Sequence, residues 1–378
     1  MKKILFIIHE ASATGAPIMI NNLLESSYSK KHECFVLSIY GGKIENNLKL
    51  NSQIGILHNK TIKNSIYNKL ISKLLKSKHD FLKKIDEGFF DLIYINSLAT
   101  LTRLPSLDFL KNNKVILHIH EGPVLIENLN VEKLLSENIH NFSSIIFVSD
   151  FVKKTIVSKY DIDFRKFQTI SPVNRNLQGF KSDFTLLDVP KKSFVVCSSG
   201  SMNYTKGTDI FLQIAKNVIH EAKLDNPIYF VWVGKDGNVD IRNHFLNDIK
   251  KMELDSNVIV VPNTDTIINY FYESDVFLLA SREESFSMVA MENAMLGNPV
   301  VCFDKGNGTN EFINNENGSV VPYLDIDAAS NAILEMYYDA ELFNKKSVAI
   351  KKMAVQYSGD GMAKRIFNVI DAVVNGKE

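Results

Sequence analysis

The chain has 378 residues with 43 basic and 43 acidic side chains, and its composition is that of an ordinary globular protein. This balance excludes a strongly basic protein built to bind nucleic acid, and no apolar run approaches the roughly 20 residues of a membrane span. The zero net charge hides an asymmetry. Residues 1–180 carry 24 basic and 16 acidic residues, whereas residues 181–378 carry the remaining 19 basic and 27 acidic residues. The length suits two domains, and the charges predict that the two halves face different partners.

The N-terminus enters an apolar strand directly and lacks the longer apolar core and cleavage site of a signal peptide. The three cysteines, Cys34, Cys197 and Cys302, lie far apart in apolar stretches. They are therefore predicted to be buried thiols in a reducing cytoplasm. No group of His, Cys and Asp residues has metal-ligand spacing, so no metal or other cofactor is expected.

The first half alternates short apolar runs with helical stretches, which is typical of a doubly wound parallel sheet. The predicted strands are KKILFII, CFVLSIY, DLIYIN, KVILHI and SIIFVS. After the first strand, the turn HEASATGAP places Gly15 at the start of a helix, where backbone can approach a phosphate. A single glycine is a weak signal, and the GxGxxG dinucleotide fingerprint is missing from this turn.

The segment Asn59–Ile85 interleaves apolar residues at helical spacing with eight lysines. Such a helix can lie on an anionic membrane surface. The alternative is a solvated helix whose apolar stripe packs on its own sheet, and the pattern favours this alternative slightly.

The fourth predicted strand ends in HIHEG, which contains His118 and His120. We expect the two rings to point to opposite faces of the sheet, with His120 at the carboxyl end, where open α/β sheets bind ligands.

A polar stretch around residues 170–184 is the predicted linker, and a second series of strands follows it. These strands are FVVCSSG, YFVWVG, NVIVV, VFLLA and PVVCF, so a second Rossmann-like domain is expected. Lys206 lies in the turn after the first of them, where a lysine can stabilise a diphosphate leaving group. A lysine in such a turn is more commonly just solvated.

The stretch Ser281–Gly318 carries two carboxylates, Glu284 and Glu292, separated by seven residues. A helix is predicted from about Ser285 to Gly297, with Glu284 in the turn before it and Glu292 about two turns further on the same face. The amides of four consecutive residues at its N-terminus would then suit an anion such as phosphate. These residues are Ser285, Phe286, Ser287 and Met288. The spacing alone fits an ordinary surface helix equally well.

The chain resembles the family 4 retaining glycosyltransferases of the GT-B fold over nearly its whole length, through several motifs that follow one another in the same order as in that family. Glu284-SFSMVAM-Glu292 resembles the E-x7-E motif of that family, and KGTDIFLQIA with Lys206 resembles its KG motif. HIHEG resembles its cleft histidine segment, and TGAP its glycine loop. The resemblance implies two Rossmann-like domains facing each other across a cleft. The first domain would span 1–175 plus about 358–378, on the acceptor side, and 180–357 would bind a nucleotide sugar.

The resemblance also implies roles. Glu284 would bind the transferred sugar and support charge at the reacting carbon, and Glu292 would bind the ribose. Lys206, the Gly15 loop and the amides of residues 285–288 would hold the diphosphate, while His120 would approach the sugar. The reaction would be a retaining transfer from a nucleotide sugar, without an obligatory metal. The acceptor would be a glycan, a lipid-linked glycan on the inner membrane face, or a protein.

Two departures from the family pattern bear on activity. Many members have an arginine where this chain has Ser201, so one diphosphate-binding cation is missing, and Arg282 is a possible substitute unless it faces solvent. Ser285 and Ser287 replace the usual glycines. Two alternatives therefore stay open: a GT-B-fold epimerase that acts on a nucleotide sugar, and an inactive homologue that serves as a binding subunit.

Overall fold

The computed structural model describes residues 1–58, 76–158, 167–182, 185–221, 226–237, 239–357 and 359–376. It divides into two compact domains. The first comprises Met1–Arg175 with Ser358–Glu378, and the second is Asn176–Tyr357.

The first domain is built on a seven-stranded parallel sheet with the order β3-β2-β1-β4-β5-β6-β7. Its strands are β1 Lys2–Glu10, β2 His32–Tyr40, β3 Gln53–His58, β4 Leu92–Asn96, β5 Val115–Ile119, β6 Ser144–Phe147 and β7 Phe167–Thr169. The five predicted strands are the five central ones, and their apolar runs are almost entirely buried. The two edge strands, β3 and β7, were not predicted.

Helices connect these strands, as a parallel sheet requires. They are Gly15–Glu25, Glu45–Asn51, Lys76–Asp86, Leu98–Leu101, Pro123–Asn128, Glu132–Asn138 and Asp150–Val157.

The final helix, Gly359–Asn375, belongs to the first domain. The ring of Phe367 stacks on that of His32 with centroids 5.3 Å apart, and Lys114 Nζ donates to the carbonyl of Val374 at 2.8 Å. A Cβ on Gly359 would lie 2.1 Å from the Asn174 carbonyl oxygen, so only glycine permits this approach. The chain thus returns to its first domain after completing the second.

The lysine-rich segment is described only in part, because residues 59–75 lie outside the described residues. In the helix Lys76–Asp86, Phe81 and Ile85 are buried, and the Phe81 ring packs edge-on against Phe35 at 6.4 Å. These two apolar positions therefore pack on their own domain, as the non-membrane alternative expects. Binding to an anionic membrane surface stays a prediction that depends on residues 59–75. Among the residues whose structure is described, no helix is long and apolar enough to cross a bilayer.

The second domain has a six-stranded parallel sheet with the order β10-β9-β8-β11-β12-β13. Its strands are β8 Phe194–Ser199, β9 Ile228–Gly234, β10 Val258–Pro262, β11 Val276–Leu279, β12 Val300–Phe303 and β13 Ser319–Val321. Its α-helices are Thr208–Glu221, Val239–Lys251, Ile267–Tyr272, Met288–Leu296, Ile326–Tyr338 and Ala340–Val355. The prediction of two Rossmann-like α/β domains is confirmed, and here again the strand that was missed, β13, lies at an edge.

The three cysteines are buried free thiols, as predicted. Burial raises the pKa of each to about 12, so they stay protonated at neutral pH.

Candidate functional site

The strand order of the second sheet reverses between β8 and β11, which are neighbours paired through Cys197 and Phe277. In an open α/β sheet the crevice at the carboxyl ends of such a strand pair is where ligands bind. Lys206 follows β8 and Glu284 follows β11. The topology therefore brings two predicted site residues, 78 positions apart, to the switch point of the sheet.

Lys206 and Glu284 form an ion pair in which Lys206 Nζ donates to Glu284 Oε2 at 2.5 Å. The Ser281 hydroxyl donates to the same oxygen at 3.4 Å. The side chains are 29% and 13% exposed, so solvent still reaches the pair. The structure describes no hydrogen bond to Glu284 Oε1, which leaves this oxygen able to accept from a ligand hydroxyl.

Close backbone packing fixes the turn that carries Lys206. Gly207 has a φ of +67°, and a Cβ there would lie 2.0 Å from the Ala280 carbonyl oxygen. The Lys206 amide donates to Asn203 Oδ1 at 2.8 Å. The turn thus rests directly on the end of β11, which explains why glycine must follow the lysine.

Arg282 is not the free cation that would replace the missing arginine, and it does not simply face solvent. Its guanidinium donates to both carboxylate oxygens of Asp209, at 2.9 and 2.7 Å, and to the Tyr204 carbonyl at 2.7 Å. It also lies 3.7 Å above the Tyr204 ring. The guanidinium holds the pKa of Asp209 below its usual range, chiefly through these hydrogen bonds. Arg282 therefore clamps the Lys206 turn to the Glu284 turn. Ser201 is exposed, and Arg282, engaged in these contacts, does not replace the arginine missing at position 201.

The helix of the carboxylate motif begins at Met288, three residues later than predicted. Ser287 is its N-cap, and the Ser287 hydroxyl accepts from the Ala290 amide at 3.2 Å. The Ser287 amide itself donates to Thr309 Oγ1 at 3.1 Å. The predicted row of four outward amides is therefore wrong: Ser285 and Phe286 precede the helix, and the amide of Ser287 is already used.

Phe286 is buried, with its ring 5.4 Å from that of Phe312, so it anchors the turn. Glu292 lies in the second turn of the helix and is 4% exposed. Because Glu284 lies before the N-cap, the two carboxylates do not share a helix face. They differ in setting, with Glu284 partly exposed in a turn and Glu292 buried on a helix.

The turn after β12 forms the other side of the Glu284 turn, and sequence reasoning missed it. Glu284 forms a parallel β-bridge with Asn307. Its amide donates to the Gly306 carbonyl, and its carbonyl accepts from the Gly308 amide, both at 2.8 Å. The available sequence signal for this turn was the pair of glycines in KGNGT, because glycines permit such a close approach of two backbones.

In the first domain, the prediction that His118 and His120 point to opposite faces is wrong. Their rings lie 4.2 Å apart, because side chains two residues apart in a strand share a face. His118 is fully buried and bonded through Nδ1 to the Tyr94 hydroxyl at 2.7 Å. His120, just past β5, is half-buried, and the carboxylate of the neighbouring Glu121 accepts the backbone amides of Leu98, Ala99 and His120 itself.

Asn96, at the end of β4, connects His120 to the glycine loop, and no sequence pattern pointed to it. Its Nδ2 donates to the Ala16 carbonyl at 2.9 Å, and its Oδ1 faces His120 Nε2 at 2.8 Å. His120 Nε2 must therefore carry the proton, which leaves Nδ1 as an acceptor. Burial, with a smaller contribution from the charge of His9, lowers the pKa of His120 to about 3, so the ring is neutral at pH 7. Gly15, one residue before Ala16, is exposed and begins the helix Gly15–Glu25.

Within the described ranges, no group of three or more His, Cys, Asp or Glu side chains is arranged to hold a metal. Asp325-Ile-Asp327 has the spacing of the DxD metal motif of another transferase fold, but Asp325 caps the helix Ile326–Tyr338 by accepting from the Ala328 amide. That motif is structural here.

Comparison with known proteins bears on the family and the fold. Residues 193–339 match the family model for glycosyl transferases group 1. A putative glycosyltransferase, YtcC of Bacillus subtilis (strain 168), is 22% identical over 292 residues, which cover 70% of this chain and 69% of YtcC. An uncharacterized glycosyltransferase of Haemophilus influenzae is 23% identical over 374 residues, covering 94% of this chain and 96% of that protein.

Among solved structures, Anabaena Alr3699/HepE in complex with UDP and glucose superposes with a TM-score of 0.77 at 17% identity, over 98% of this chain and 100% of HepE. Sucrose-phosphate synthase from Thermosynechococcus elongatus also gives 0.77, at 16% identity and full coverage of both chains. The two Rossmann-like domains are those of the GT-B fold, and within the second of them residues 193–339 are similar to the glycosyl transferases group 1 family.

Proposed function

We propose that this protein is a retaining glycosyltransferase that moves a sugar from a nucleotide sugar to a glycan or lipid-linked acceptor. The observation that carries the proposal is the Lys206–Glu284 pair, a cation and a carboxylate held together at the switch point of a group 1 glycosyltransferase domain. A partly exposed pair of opposite charges suits a substrate in which a leaving diphosphate and a developing positive charge lie side by side.

Each side chain has a distinct task in this reaction. Glu284 Oε1 accepts from a hydroxyl of the transferred sugar, and its negative charge stabilises the oxocarbenium-like transition state. Lys206 donates to the departing diphosphate, and at that moment exchanges part of its bond with Glu284 for one with phosphate. The N-terminus of helix Met288–Leu296 adds a favourable dipole for the diphosphate. Glu292 binds the ribose.

We assign binding of the acceptor to the first domain. His120, neutral and held by Asn96 with Nδ1 as an acceptor, receives a hydrogen bond from a substrate hydroxyl. Gly15 allows the start of the helix Gly15–Glu25 to approach a phosphate closely. The chemistry requires no metal in this proposal, because Lys206 and helix dipoles stabilise the leaving group.

Names of relatives support the substrate classes. HepE was solved with UDP, with UDP-glucose, and with UDP and glucose. A poly(ribitol-phosphate) alpha-N-acetylglucosaminyltransferase of Staphylococcus aureus is 22% identical over 247 residues, and an O-antigen biosynthesis glycosyltransferase, WclY of Escherichia coli, is 26% identical over 129 residues. A uridine diphosphate sugar and a role in surface polysaccharide synthesis are therefore our first choices.

The first test is ligand binding, followed by product analysis. The purified protein is heated with UDP, GDP, dTDP or ADP and then with the corresponding sugars, and stabilisation by one nucleotide identifies the class. The matching sugar nucleotide is then incubated with and without a glycan acceptor. Transfer with retained anomeric configuration supports the proposal. An isomerised sugar nucleotide in the absence of acceptor would show the epimerase alternative, and no binding at all would favour the inactive homologue.

The second test uses Glu284→Gln, which keeps the size of the side chain but removes its charge. Transfer should fall by about 10²-fold or more, because a charge aimed at the transition state is lost. Glu316→Gln is the matched control, since Glu316 is exposed in the same domain. Transfer by Glu284→Gln at the level of the control contradicts the role of Glu284.

A further inference from the structure

Asn307 is a buried amide with one half of its hydrogen-bonding capacity unused. The residue is 7% exposed. Its Oδ1 accepts from the Thr309 amide at 2.9 Å, which also makes Asn307 the N-cap of the short 3-10 helix Gly308–Glu311. Because Oδ1 must be the atom that faces this N–H group, the other atom is the nitrogen, and the orientation of the carboxamide is unambiguous.

The nitrogen of this carboxamide has no hydrogen-bond partner in the described part of the chain. An NH2 group removed from water without an acceptor is destabilising, so such groups are rare in folded proteins and call for an explanation. The cap requires only the oxygen. Aspartate would make the same cap and has no donor of its own, so the nitrogen is the part to be explained.

The position of Asn307 indicates what completes it. Asn307 is the direct partner of Glu284 in the parallel bridge, and residues paired in this way project their side chains to the same face. Glu284 receives Lys206 and Ser281 on Oε2, and no described hydrogen bond reaches Oε1. An unused acceptor and an unused donor thus project to one face from adjacent backbone positions.

A hydroxyl group satisfies both atoms at once, because it donates one hydrogen bond and accepts another. A phosphate oxygen fits less well, since it cannot donate to Glu284 and is repelled by the carboxylate. We propose that Asn307 is a sugar-selecting residue, whose Nδ2 donates to a hydroxyl oxygen of the transferred sugar while that hydroxyl, or its neighbour on the ring, donates to Glu284 Oε1. This inference rests on the proposed function, because it assigns a contact within the same sugar site.

The test compares the sugar with the nucleotide. Kd values for UDP-glucose and UDP, or for the pair that the nucleotide panel selects, are measured by calorimetry for the wild type, Asn307→Ser and Asn307→Asp. Serine is neutral and keeps a cap, whereas aspartate keeps both the size and the cap, and both remove the NH2 group. We expect Asn307→Ser to weaken binding of the sugar nucleotide about three- to tenfold and to leave UDP binding within about twofold. Asn344→Ser, an exposed position in the same domain, is the control.

Deoxy sugar nucleotides separate direct contact from a general effect on the turn. The wild type should discriminate against the analogue that lacks one particular hydroxyl, and Asn307→Ser should lose most of that discrimination. Equal loss of UDP and sugar-nucleotide affinity, or unchanged discrimination in both variants, overturns the assignment of Asn307 alone. A wild type that binds UDP but no sugar nucleotide overturns the proposed function and this inference together. The thermal midpoint of the neutral variant Asn307→Ser, expected within a few degrees of the wild type, shows that the cap is intact.

Discussion

Replacing Arg282 distinguishes a structural clamp from a phosphate-binding cation. In the structure, one guanidinium makes two bonds to Asp209 and one to the Tyr204 carbonyl, and stacks on the Tyr204 ring. The perturbations are Arg282→Ala, Asp209→Ala and the double variant. If Arg282 is a clamp, each change loosens the turn that carries Lys206, and the two changes are coupled.

The magnitude follows from these contacts. Asp209 is 49% exposed, so its ion pair contributes at most about 1 kcal/mol. The charged hydrogen bond to the Tyr204 carbonyl adds roughly 1.5 kcal/mol, the lower end for such bonds at a partly exposed site. Stacking on the ring adds about 0.5 kcal/mol. Arg282→Ala should therefore lower the free energy of unfolding by about 3 kcal/mol, and Asp209→Ala by about 1 kcal/mol. The coupling free energy between the two substitutions, obtained from the double variant, should be close to the contribution of the ion pair, at most about 1 kcal/mol.

The assay is urea unfolding at pH 7 together with the Kd of UDP for each variant. Arg242→Ala is the matched control, because Arg242 pairs with Asp236 at 3.2 Å on an exposed surface and should cost under about 1 kcal/mol. The reasoning is refuted if Arg282→Ala leaves stability unchanged while UDP binding weakens. It is also refuted if Asp209→Ala tightens UDP binding, as release of a phosphate-binding arginine would predict.

Three further predictions concern charge and backbone. Burial raises the pKa of Asp275 to about 6, above 3.8, so this group favours the folded state fully below pH 3.8 and loses that contribution as pH rises through 6. The folded state loses up to about 3 kcal/mol of stability in this way. In urea unfolding, Asp275→Asn should therefore stabilise the protein relative to the wild type more at pH 7.5 than at pH 4.5. An equal effect at both pH values contradicts the raised pKa of Asp275. Gly207→Ala should cost more than about 3 kcal/mol, because a Cβ would lie 2.0 Å from the Ala280 carbonyl oxygen. Gly179→Ala, also at positive φ but with nothing within 4 Å, should cost only about 1–2 kcal/mol, and similar losses for both would contradict the packing argument. Ser201→Arg, which introduces the cation that the family resemblance implies at this position, should tighten UDP binding about three- to tenfold in calorimetry. An unchanged Kd would show that position 201 lies away from the diphosphate.

The central strands of both sheets were predictable because burial on both faces requires continuous apolar runs, which can be read without an alignment. Three of the four edge strands, β3, β7 and β13, were not, whereas the edge strand β10 was predicted from its apolar run NVIVV. QIGILH has only two buried residues, and the other two strands are three residues long. Such segments become strands only because a neighbouring strand offers them hydrogen bonds.

The start of the motif helix shows the same limit at a single residue. Ser285 and Ser287 are both good N-caps, so the local sequence does not choose between them. The choice falls on Ser287, whose amide is held by Thr309, 22 positions further along the chain. A cap of this kind depends on a contact that no local pattern contains.

The sequence alone predicted two parallel α/β domains, because apolar periodicity is a local property, and its resemblance to family motifs singled out Glu284, Glu292, Lys206 and His120. Tertiary structure decided what those residues contact. It paired Lys206 with Glu284, placed Arg282 on Asp209 and set the orphaned amide of Asn307 beside the candidate sugar site. The physical reason is that strand order within a sheet brings together turns that are far apart in the chain. The energies of hydrogen bonds and ion pairs depend on the distance between the groups in space, not on their separation along the sequence.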